Sequence, residues 1–137
     1  MDKIQARQKI KKHLKRQGHR DDFEITHHLV FHWWHVLNKA VFDGKLKTPK
    51  NVILRNFRDE SLGWCMAGKN DPSVILGLRR ELYNRKTFLT VLVHEMVHAY
   101  EHQVHGKMSH RETFYMWKEA IYENTGLTLD EWVEVDY

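Results

Sequence analysis

Apolar and polar positions along the chain change period twice. Residues 3–17 contain no Gly or Pro and read as a strongly basic helix that ends before Gly18. Over 25–42, Ile25, Leu29, Trp33, Val36, Leu37 and Ala40 recur at helical spacing, and Asp43-Gly44 supplies a stop. The pattern then turns strand-like. Residues 51–57, 62–67 and 73–78 are apolar runs separated by the turn-forming stretches 58–61 and 68–72. Short turns between successive strands predict an antiparallel three-stranded meander. From Lys86 to about Val104 apolar residues occur all round the helical wheel, which predicts a largely buried helix. Ser109-His110-Arg111-Glu112 has the capping-box pattern and opens a last helix with Phe114, Trp117, Ile121 and Tyr122 on one side, closed by Gly126. Helices, then strands, then helices predict an α+β domain in which a small antiparallel sheet packs on helices.

Length and composition narrow this little further. A chain of 137 residues with 42% hydrophobic and 29% charged residues is one ordinary globular domain with a real core. The lone cysteine, Cys65, excludes an internal disulfide, and its apolar strand context predicts a buried, inert thiol. No apolar run approaches a membrane span and the start lacks a signal core, so a soluble, cytoplasmic protein is expected. Charge is more informative. Residues 1–20 hold eight Lys/Arg and one acid, net +7, whereas residues 119–137 hold six acids and no base. The expected organisation is a basic N-terminal helical arm (1–20), a globular domain (21–126) and an acidic tail (127–137). A basic arm suits nucleic acid, although a solvated helix face is the plainer explanation.

The candidate chemistry lies in His94-Glu95-Met96-Val97-His98, an H-E-x-x-H pattern inside the apolar helix. Histidines at i and i+4 share a helix face about 6 Å apart, close enough to bind one zinc ion. Glu95, rotated about 100° from His94, reaches an attacking water without ligating the metal, as a general base must. Burying two histidines and a glutamate in an apolar wall is costly unless they are paired or metal-bound. A catalytic zinc takes a third protein ligand. His102 lies about 12 Å along the helix from His94, too far to share its ion, and His105 is further still. Glu101 and Val104 stand where a metzincin has Gly and His. His110 leads, because a turn containing Gly106 lets the next helix return it toward His94 and His98, while Glu112, Glu119 and Glu123 stay open as alternatives. His27, His28, His32 and His35 form a second histidine group, read as a polar helix face, since no acid or Cys accompanies it. Trp34, Trp64 and Tyr100 are candidates to stack substrate, with core packing the plainer role.

The segment Leu92 to Tyr100, followed by Ser109-His110-Arg111-Glu112-Thr113-Phe114, resembles the SprT-like metallopeptidase family, which includes the Spartan- and Wss-type proteases of DNA–protein crosslinks. Asn38, Phe42 and Leu46, and the strand Leu62-Gly63-Trp64-Cys65, resemble the family's upstream pattern, so the likeness runs over about 25–124. It implies a zincin-like domain, with zinc held by His94, His98 and His110 and Glu95 catalytic. It also implies a protein or peptide substrate lying along an edge strand, for which 73–78 is the candidate. With the basic arm, it points to DNA-associated proteins. Ser109 and Arg111 replace the small residues that flank the family's third His, and with Cys65 alone a minimal form without a zinc ribbon is expected. Arg111, Tyr115 and Tyr100 are the candidate oxyanion donors. The rivals are a peptidase without a nucleic-acid role, a zinc-dependent scaffold with no turnover, and a nucleic-acid-binding domain with structural histidines.

Overall fold

A computed structural model describes residues 1–16, 23–58, 61–68, 71–82, 84–105 and 112–129. The first helix, α1 (Lys3–Lys15), opens on a reciprocal cap in which the Gln5 amide donates to Asp2 and the Asp2 amide to the Gln5 side chain. Ala6, Ile10 and His13 form its buried stripe. A two-residue strand, β1 (Phe23–Glu24), leads to α2 (His27–Val41), capped by the Thr26 hydroxyl. The strands β2 (Asn51–Arg55), β3 (Gly63–Gly68) and β4 (Asp71–Arg79) follow, then the short β5 (Glu81–Leu82). Two helices close the described chain: α3 (Arg85–His105) and α4 (Glu112–Thr125). The α+β class read from the sequence is what the chain adopts.

The sheet is mixed, which corrects the antiparallel meander. Its order is β2-β4-β3: β3 pairs antiparallel with β4, but β2 lies parallel to β4 on the other side. The two edge positions are about 10 Å apart, two strand spacings. The connection from residue 56 to 62 is long enough to carry the chain past the slot that β4 later fills. Burial explains why β4 takes that slot. Val74, Leu76 and Leu78 are fully buried on one face, a run that only a strand flanked on both sides can place in a core. Residues 73–78 are therefore central, and the expectation that they form a substrate-binding edge is wrong. A separate pairing of β1 with β5 was not legible in the sequence, two residues being too few to set a period.

The basic helix does not stand apart as an arm. It packs on α2, with Ala6 and Ile10 fully buried and the His13 ring 4.2 Å from that of Trp33. Its charges stay on the outer side, where Lys9, Lys11, Lys12, Lys15 and Arg16 are exposed. At the other end, Leu127 and Leu129, which begin the segment expected as an acidic tail, are buried in the core, and residues 130–137 lie outside the described residues. Asn38 ties the turn after α2 to the core. Its side chain donates to the Leu46 carbonyl at 2.9 Å and accepts the Leu46 amide at 3.1 Å, between the buried Phe42 and Leu46. This gives the sequence pattern Asn38, Phe42, Leu46 a structural meaning: a buried amide replaces missing ladder partners at a loop.

A buried histidine and glutamate site on α3

Asn84 starts α3 by accepting the Thr87 amide with its side chain and the Phe88 amide with its carbonyl. Every residue from 88 to 99 is then buried. A helix covered on all sides needs partners on all sides, and β3 is one of them. A Cβ on Gly63 would lie 3.0 Å from Val91 Cγ1 and from Leu78 Cδ2, so the absent side chain is what lets the sheet approach α3 so closely. Two residues on, Cys65 is close enough to feel the charge of Glu95, four residues on from Val91. The matched advance of about 6 Å on helix and strand sets α3 alongside β3. Burial first, and then the Glu95 carboxylate, push the Cys65 thiol far above its ordinary range, which leaves it without nucleophilic character, as its sequence context indicated.

Around the α3 axis, His94, His98 and Glu101 fall within about 60° of one another, and Glu95 lies about 60° beyond His98, with the sheet-facing Val91 between them. His94 and Glu95 have no exposed surface, and His98 and Glu101 have 2% and 1%. The rings of His94 and His98 are 5.0 Å apart at 71°. Two imidazoles bound to one tetrahedral zinc, each with its ring centre about 3.2 Å from the ion, have centres about 5 Å apart. The pair therefore fits a shared zinc ion by both chemistry and spacing. Glu101, which the sequence reading noted only as a departure from another class, contacts His98: its Oε1 is 3.3 Å from Nδ1. The signal was present as a carboxylate at i+3 from a candidate ligand.

Among the described residues no group of three His, Cys, Asp or Glu side chains could hold a metal ion. His110 and Arg111 lie outside the described residues, as do the side chains of Glu112 and Tyr115. Glu119 and Glu123, the alternatives for a third ligand, are exposed on α4, unlike the buried pair they would have to join. Helix α3 runs unbroken through His105, which keeps His102 about 12 Å along the axis from His94. Tyr100 is turned away from the histidine face and packs its ring against Trp117 at 4.8 Å and Phe42 at 6.0 Å. Trp34 is buried in the core, and Trp64 lies over Gly77 of β4. The second histidine group is a face of α2: His28 and His32 stack at 6.3 Å and His32 meets the edge of Trp33. Partial burial, then Lys9, His28 and His35, hold His32 below the ordinary imidazole range, which favours its neutral ring.

No described helix is long and apolar enough to cross a membrane. Comparison with curated proteins finds no match. A family model does match, over residues 30–131, about three quarters of the chain. That span takes in most of α2, all three strands of the mixed sheet, the buried histidine helix and α4, and its family is associated with metallopeptidase-like function and with zinc. On the extent of that match, the chain belongs to the SprT-like family.

Proposed function

We propose that this protein is a zinc-dependent endopeptidase with a zincin-like active site. The observation that carries the reading is the enclosure of His94, Glu95 and His98 on one helix, with the two rings spaced for a shared ion. His94 and His98 hold the metal, with His110 as third ligand. A bound zinc ion supplies Lewis acidity toward the scissile carbonyl and toward a water. The protein's own part is proton handling and exclusion of solvent. Glu95, anchored between α3 and β3, takes a proton from the attacking water and later delivers it to the leaving amine. Complete burial of Glu95 in the apolar core keeps bulk water from that carboxylate.

The exposed cations of α1 support a second element of the proposal, contact with nucleic acid, which makes DNA-associated proteins the favoured substrates. The test of catalysis is Glu95→Gln, which keeps the shape of the site and removes its base. The variant is expected to bind one zinc per chain, as the parent does, and to cleave an unstructured protein at least about 100-fold more slowly. Cleavage at the parental rate would overturn the assignment, and zinc binding without cleavage in the parent would leave a scaffold.

A further inference from the structure

We propose that Glu101 is a positioning residue for His98: its carboxylate accepts the Nδ1 proton of that ring, so that Nε2 is the nitrogen offered to the metal. The inference rests on the zinc reading above and deepens it. The starting observation is a full carboxylate with 1% exposure in the last buried stretch of α3, at a position where a leucine would fill the core at no electrostatic cost. Its Oε1 lies 3.3 Å from His98 Nδ1, an ion-pair contact whose geometry is not yet that of a formed hydrogen bond, and both side chains are 2% exposed. Helix geometry makes the contact directional. Side chains lean toward the helix N-terminus, so a glutamate three residues beyond His98 folds back over that ring. His94 lies about 10 Å back along the axis from Glu101, beyond its reach. The effect is therefore confined to one of the two ligands.

A neutral imidazole carries one proton on either nitrogen, and only the bare nitrogen can ligate a metal. A carboxylate beside Nδ1 keeps the proton there. It also holds the ring plane and raises the electron-donating power of Nε2. Glu101 is not itself read as a ligand, since no three described side chains form a metal-holding group.

The first test needs no variant. In ¹⁵N spectra of the full-length zinc-loaded protein, His98 is expected to be protonated at Nδ1 and ligated through Nε2; ligation through Nδ1 would overturn the proposal. The second is zinc competition against a chelator. Glu101→Ala is expected to weaken zinc binding about 10–100-fold. Glu101→Gln, whose amide oxygen still accepts the proton, is expected to recover most of that loss. In the metal-free Ala variant the His98 spectrum should show both tautomers in exchange, which a merely space-filling role would not produce. Parental affinity in Glu101→Ala refutes the proposal while sparing the zinc reading. Affinity in Glu101→Gln as poor as in the Ala variant refutes it in favour of direct ligation by the charge. A parent that binds no zinc refutes both.

Discussion

Single residues are where burial and chemistry conflict most openly. His13 is 7% exposed, stacks on Trp33, and has Arg85 Nη1 3.2 Å from its Nδ1. Burial first, then the positive charge of Arg85 and the neighbouring His32 and Arg16, hold its pKa down at about 4. The folded state thus prefers the neutral ring. Above about pH 6.5 both folded and unfolded states carry it neutral and stability is intact. As pH falls from there toward 4 the unfolded chain takes the proton first, and stability is lost, by at most about 3 kcal/mol. Denaturant melts of metal-free protein at pH 7 and pH 4.5 should show this loss shrinking in His13→Phe, which keeps a ring against Trp33. An equal loss in both proteins would mean that His13 is not the group responsible. The zinc ligands give a second residue-scale expectation. His110→Ala should weaken zinc binding far more than His102→Ala, because His102 stands two turns along α3 from His94. Equal effects, read by chelator competition, would contradict the proposed ligand set.

At the scale of elements, the decisive fit is between β3 and β4. Trp64 pairs with Gly77 across the ladder, and its indole lies where a Gly77 side chain would be: a Cβ there would be 2.1 Å from Cε2. That ring covers the outer face of the central strand, while Gly63 and Cys65 on the inner face meet α3. Gly77→Ala has to push the indole aside and disturbs both faces through one strand. It should lower stability by about 1–3 kcal/mol, with a changed tryptophan emission. Thermal melts and fluorescence of the variant decide it; an unchanged melting temperature would show that Trp64 moves away freely. Asn38 plays the corresponding part between α2 and β2, where its two hydrogen bonds replace a ladder that the loop cannot form.

For the whole molecule, the distribution of charge separates what α1 builds from what it displays. Ala6, Ile10 and His13 join the core, so removing residues 1–16 would uncover Trp33 and the α2 face rather than trim a spare arm. The nucleic-acid proposal is better tested by changing only the outer cations. Five phosphate contacts by Lys9, Lys11, Lys12, Lys15 and Arg16 would give log K against log salt a slope of about −4.5 on duplex DNA. Replacing all five by Gln should flatten that slope and leave cleavage of an unstructured peptide near the parental rate. DNA affinity that is absent at about 50 mM salt, or equal in both proteins, would remove α1 from any such role.

Taken alone, the sequence determined the elements and the chemistry: the two periodic helices, three of the strands, the buried helix and its H-E-x-x-H face were all legible. These are local properties, written in spacing along one segment. Tertiary structure alone decided the rest. The pairing of β2 with β4 depends on which strand has both faces and both edges to bury, not on turn length. The docking of α1 depends on a stripe of only Ala6, Ile10 and His13 meeting α2, which a run of lysines conceals. Glu101 stands out only once α3 is enclosed, because a carboxylate at that spacing is an ordinary surface residue until burial removes the water that would otherwise solvate it.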